Sequence, residues 1–204
     1  MTLQNRVDPF GNIHAVSERG HVMGNRGKLH NHQQEITHFY RSKRWIICKL
    51  NFKNRHRQVM ATDRNRYTEL FFLDEATALA AGHRPCWSCN RTRYQAFMAH
   101  WQTVYPQGTK SVDEILHQER TQSHRPRQHT KQVYTTIIDK LPYGTFITLA
   151  GQPYILLEKT IRPWYFDGYG QPIPRLHDAI VTVLTPESTV AVLAVGYRPE
   201  VYET

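Results

Sequence analysis

Acidic residues are missing where cations are densest. Between positions 19 and 66 the chain carries twelve Lys or Arg against two acids, Glu35 and Asp63. Residues 84–131 hold eight against three, whereas residues 132–204 hold five against seven. A charge excess confined to one part points to a polyanionic partner for that part and a neutral remainder. Cysteine is scarcer still. Three residues, two of them spaced C-x-x-C, suit a reducing compartment better than a disulfide scaffold. No apolar run approaches the roughly 18 residues of a membrane span. The start Met-Thr-Leu-Gln-Asn-Arg lacks the signal-peptide pattern. The expected location is therefore cytoplasmic.

The first 35 residues also lack room for a long helix, because Gly11, Gly20, Gly24 and Gly27 interrupt them. We read residues 1–39 as an extended, His/Gly-rich segment. From Trp45 to Phe52 the pattern suits a strand, Lys53–Arg55 a turn, and Gln58–Thr62 the return strand of a hairpin. Thr68–Leu73 is a further strand. Asp74 is then a good N-cap for Glu75-Ala-Thr-Ala-Leu-Ala-Ala81, with Gly82 as the left-handed stop and Pro85 forbidding resumption. A second helix begins between Ser88 and Asn90; its Tyr94, Phe97, Met98 and Trp101 form one apolar stripe. These elements make a knuckle module over 40–105.

Residues 106–131 comprise a helix opened by the capping box Ser111-Val-Asp-Glu114 and a basic loop. Residues 132–204 read as β-rich, with strands at 133–138, 145–149, 154–158 and 179–184 and a closing helix at 189–195 behind Thr185-Pro186. The aromatic run Trp164-Tyr-Phe-Asp-Gly-Tyr169 could stack unpaired bases or fill a barrel mouth.

Cys86-Trp-Ser-Cys89 is the most informative motif. Two thiols at this spacing can bite one soft metal ion, and the cationic stretch Asn90-Arg-Thr-Arg93 opens the next helix. A tetrahedral zinc site needs two more ligands, for which Cys48, His56, Asp63 and His83 are the candidates. Without metal, the thiols would serve as small buried apolar groups.

Residues 68–93, an aromatic strand, a Glu-Ala-rich helix, Ala-Ala-Gly-His-Arg-Pro-Cys-Trp-Ser-Cys and basic residues, resemble the zinc-binding module of the Ada DNA-repair proteins. The resemblance implies that zinc is bound by four thiolates, with Cys86 and Cys89 in the place of the second pair. The family's first pair, C-x-x-x-C, is missing around residues 55–63, so the methyl-acceptor role does not carry over. The same knuckle also looks like that closing the HNH nucleases. That likeness implies a catalytic metal and activated water, for which His30 and His32 are the candidates; no Asp-His pair accompanies them.

The expected fold is therefore α+β, an Ada-like β-hairpin/helix knuckle module followed by a β-rich C-terminal sheet or barrel. The expected function is DNA binding through the phosphate backbone, in repair or defence, with zinc as cofactor. Arg84, Asn90, Arg91 and Arg93 are the expected phosphate contacts, with Lys43, Arg44, Arg55 and Arg57 widening the footprint. The alternatives are a metal-dependent nuclease and a metal-free interaction module.

Overall fold

The computed structural model describes residues 2–53, 59–62, 67–107, 111–123 and 125–203. The fold is α+β, with two sheets and helices between and beside them. None of these helices is long and apolar enough to cross a membrane.

The first sheet is built from short strands: β1 (Arg6–Val7), β2 (Ile13–His14), β3 (Val22–Asn25), β4 (Ile46–Cys48), β5 (Leu70–Phe72) and β6 (Arg84–Pro85). Their order is β2-β1-β5-β3-β4-β6. The glycines of the first 35 residues do exclude a long helix, but the segment is not a separate arm. It supplies three of the six strands, so no boundary at 39 divides it from the knuckle module. Gly24 shows why glycine is needed there. A Cβ at that position would lie 2.5 Å from the Ile46 carbonyl oxygen on the neighbouring strand.

The expected hairpin from Trp45 does not form. β4 instead pairs antiparallel with β3 and parallel with β6, while Val59 and Met60 lie in a turn. Gln58 and Arg55 lie outside the described residues.

Helix α1 (Glu75–Ala80) follows β5 directly. Its N-cap is Asp74, whose Oδ1 accepts from the Thr77 N–H at 2.7 Å. Gly82, at φ +89, permits the stop. All six α1 residues are buried. Ala78 and Leu79 face the core of the first sheet, whereas Ala76 and Ala80 face Phe146, Ile155 and Trp164 of the second. The small alanines let two sheets approach one helix from opposite sides. Helices α2 (Arg91–Val104) and α3 (Val112–Arg120) complete the first half. Phe97 and Trp101 of the α2 stripe are buried against Tyr197, and the Ser111–Glu114 capping box forms as expected.

The second sheet contains β7 (Tyr134–Ile137), β8 (Phe146–Leu149), β9 (Gln152–Leu156), β10 (Thr160–Tyr165), β11 (Gly168–Tyr169), β12 (Ile173–Pro174) and β13 (Ile180–Val183). Its order is β11-β10-β9-β8-β13-β7, with β12 also beside β10. It is an open sheet, not a closed barrel. β8 and β9 are joined by Ala150-Gly151, both at positive φ, the conformation of a two-residue hairpin turn that matches strand twist. Helix α4 (Glu187–Ala194) then returns to pack on α2 and α3, ending at Gly196.

In the aromatic run at 164–169, Trp164 and Tyr169 form an internal joint, whereas Tyr165 is exposed. The Trp164 Nε1–H donates to Thr77 Oγ1 at 3.1 Å, and the Tyr169 hydroxyl to Asp74 Oδ2 at 2.7 Å. Both rings are buried, so neither is a stacking platform.

Candidate metal centre and its basic surroundings

The parallel pairing of β4 with β6 decides the geometry of the cysteines. Ile47 sits opposite Pro85, and the Cys86 N–H donates to the Ile47 carbonyl at 2.9 Å. Cys48, the last residue of β4, is thereby set beside Cys86. The turn after Pro85 brings Cys89 back to the same point, closed by the Asn90 N–H donating to the Cys86 carbonyl at 3.1 Å. All three sulfurs lie within 4.8 Å of one another. Thiolates bound to one zinc at about 2.3 Å in a tetrahedron would stand about 3.8 Å apart, so modest side-chain rotation closes the trio on an ion.

Backbone N–H groups already point at the sulfurs, those of Ser88 and Cys89 at Cys86 and that of Lys49 at Cys89. Hydrogen bonds from Cys48 and Cys89, reinforced by the two backbone groups, pull the Cys86 thiol far below its ordinary value. The Cys48 thiol is correspondingly driven up, by donating to Cys86 and Cys89 and by burial. At Cys89 the contact with Cys48 lowers the value, but the bond to Cys86 and burial outweigh it and the net shift is upward. Cys86 is thus the sulfur of the trio that most favours the thiolate. Three converging sulfurs of this kind favour a soft cation, whose binding displaces thiol protons. Met23, Ile46 and Phe71 cover its inner side.

Cys48 therefore joins the pair, as one of the four further ligands named from sequence. His83 does not. It is buried beneath Trp45 and Phe72, where its Nε2 accepts from Arg26 Nε at 3.2 Å, and it stands outside the cysteine group. His56 and Asp63 lie outside the described residues, as do Arg55 and Arg57. Among the described residues, no other group of three His, Cys, Asp or Glu converges as these sulfurs do. His30 is a buried cross-link with both ring nitrogens engaged, to Thr68 Oγ1 at 2.7 Å and the Ala61 carbonyl at 3.3 Å. His32 is exposed. Among the described residues, neither belongs to a group of three metal-ligating side chains.

The cations around the knuckle divide sharply. Arg84 is buried and bidentate to Asp113, at 2.9 and 2.7 Å. Arg93 is bidentate to Glu75, at 3.2 and 2.5 Å, and caps the Arg198 carbonyl. Asn90 is buried at the start of α2. Arg84 and Arg93 are thus engaged by internal carboxylates, while Asn90 and the half-buried Arg93 also line a cleft beside Cys48 and Lys49. Arg91 faces outward. Its guanidinium lies 4.6 Å over Trp87, which is 55% exposed and meets Tyr94 edge-on. Lys43 and Arg44 are exposed too, as are Lys49 and Lys53 beyond Cys48. Trp87 was the signal missed in the sequence: a large aromatic inside a two-residue metal loop cannot reach the core.

A search against protein-family models, curated proteins and solved structures matched none of them to this chain.

Proposed function

We propose that this chain is a nucleic-acid-binding protein, with DNA as the first candidate ligand, in which Cys48, Cys86 and Cys89 hold a zinc ion that staples β4 to the start of α2. The observation that carries the reading is the meeting of three sulfurs around the loop that carries the exposed Trp87 and its contact with Arg91. In this reading zinc is structural, with three of its four positions taken by the sulfurs and the fourth by a further ligand or water. It fixes the loop that offers an indole face for a base and a guanidinium for a phosphate. Support also comes from the cation excess of the first half and from the resemblance of residues 68–93 to the Ada module. The alternative of a metal-free interaction module draws on the apolar cover of the trio by Met23 and Phe71.

Two measurements separate these. Elemental analysis of protein purified without chelator should find one zinc per chain, reduced to a small fraction by Cys86→Ser. Absence of metal, with folding unchanged in C86S, selects the metal-free module. Affinity for a fluorescent single-stranded oligonucleotide should fall with salt on a log–log slope of roughly −3 for about four phosphate contacts. A flat response removes the nucleic-acid reading. Trp87→Ala with Arg91→Glu should weaken binding about tenfold or more, from a lost stack of about 1–3 kcal/mol and a reversed charge.

A further inference from the structure

A second cationic surface lies away from the knuckle. A cleft of about 610 Å³ opens between the loop Tyr40–Lys43 and α3, with Arg41, Lys43 and His117 on its walls and Pro126 at one end. A second cleft, of about 370 Å³, shares Pro126 and is lined by His38, Arg125 and Arg127. The two loops are fastened together, the Phe39 N–H donating to the Pro126 carbonyl at 2.7 Å and the Tyr40 hydroxyl to the Ser123 carbonyl at 3.3 Å. One acid, Glu114, faces the clefts, and its carboxylate accepts from Ser111 in the capping box.

The interior behind these clefts is also positive. Arg120 is fully buried; it donates to the Gly82 carbonyl at 2.8 Å, to His117 Nδ1 at 3.3 Å and to the Lys43 carbonyl, so the cleft wall is held by a buried cation. Its Nε has no partner. Arg26, equally buried, donates to the Gly11 carbonyl and to His83, with its Nη2 unpartnered. Both guanidiniums lie over Trp45, at 3.9 and 4.1 Å. Neither has a carboxylate partner among the described residues. Asp8 offsets part of the Arg26 charge and Asp113 part of the Arg120 charge; what remains in a low-dielectric core sends its field out through the nearest solvent-filled opening. A surface of merely solvated lysines lacks that reinforcement.

We propose that the paired clefts sharing Pro126 bind consecutive phosphates of a nucleic-acid strand, Arg41 and Lys43 gripping one and Arg125 and Arg127 the next. The proposal rests on the nucleic-acid reading above and adds where the backbone runs. Two cation pairs on tethered loops, in clefts that share a proline, suit a repeated anion better than one small carboxylate. The knuckle then supplies stacking, and the clefts supply most of the salt-dependent affinity.

The test is an amide-shift titration of the whole chain at low salt, with pyrophosphate in one arm and an eight-residue oligothymidylate in the other. Both probes should move the amides of Tyr40–Lys43, Gln118 and Gln128. The variant Arg125→Glu/Arg127→Glu, altering two exposed side chains, should bind the oligonucleotide at least tenfold more weakly while keeping the wild-type spectrum elsewhere. Oligonucleotide binding with shifts confined to Trp87, Ser88 and Arg91 overturns the cleft assignment and leaves the nucleic-acid reading standing. Pyrophosphate shifts in the clefts without oligonucleotide binding overturn the strand assignment and the nucleic-acid reading together, leaving a small-phosphate site. No shift with either probe overturns the proposal outright.

Discussion

Around Trp45 the first sheet buries Arg26, Arg120 and His83, whereas the second closes over Ile138, Ile147, Leu156, Ile161, Val181 and Val183. The strands differ in the same sense. Those of the first sheet run two to four residues, and those of the second reach six in a continuous antiparallel ladder. A short strand contributes few backbone hydrogen bonds, so the first half is defined by side-chain contacts: guanidinium over indole, carboxylate around arginine, sulfur on sulfur. The second half is defined by alternation and apolar area. Polar definition is costly, because each buried charge must recover its lost hydration. A half that keeps such charges beside its candidate binding surfaces is retaining chemistry that the other half does without.

The contrast can be broken most directly at Trp45. Its ring is fully buried and is the common neighbour of both buried guanidiniums. Trp45→Ala should cost about 5 kcal/mol, the upper end for a buried aromatic, because the cavity also strips two cations of their aromatic cover. Ile161→Val, at a fully buried site of the second sheet, should cost about 1 kcal/mol. Urea denaturation of both variants checks the pair. A Trp45 effect no larger than that of an ordinary apolar truncation would show that the guanidinium contacts contribute nothing.

This division also marks what could be read from the residues alone. Helix α1, the capping box of α3 and four strands of the second sheet announced themselves through caps, stops and alternation. Strand β10 did not, because Pro163 lies inside it and proline argues against a strand interior. The knuckle pair was legible from its spacing. The recruitment of Cys48 depended on a parallel register between β4 and β6, two strands that are not consecutive, and no local pattern encodes that. The roles of Arg84 and Arg93 were hidden for the same reason. Whether an arginine meets solvent or an internal carboxylate depends on Asp113 and Glu75 arriving from elsewhere in the chain.

Glu75 sharpens the comparison at the seam. Its carboxylate accepts from Arg93, from the Tyr197 hydroxyl at 2.7 Å and from the Glu200 N–H at 2.9 Å, tying α1 and α2 to the C-terminal tail. Glu75→Gln keeps the shape and removes the charge. It should destabilise by roughly 2–4 kcal/mol, because the half-buried Arg93 loses its counter-ion. Hydrogen exchange should then quicken in α1 and α2 before it does in β8 and β9. Equal loosening of both sheets would mean that the seam, not the polar first half, sets the local stability.

A smaller effect than that at Glu75 carries a pH signature. The Lys131 amine donates to the Ala80 carbonyl at 2.5 Å; burial first, then the charge of Arg26, pushes its pKa from 10.5 down to about 7, with Asp8 opposing and Arg120 adding to the shift. An unfolded chain takes up this proton as pH falls below 10.5, whereas the folded chain takes it up only near 7. The unfolded state therefore binds more protons through that window, and this group makes stability fall as pH drops from 10.5 to 7, then level off. Lys131→Met removes the titration. It should be no more stable than the parent above pH 10.5, where only the lost bond to Ala80 counts, and should gain on it steadily towards pH 7, ending roughly 1–3 kcal/mol ahead. Two stability curves running parallel across that window would place the Lys131 ammonium in water.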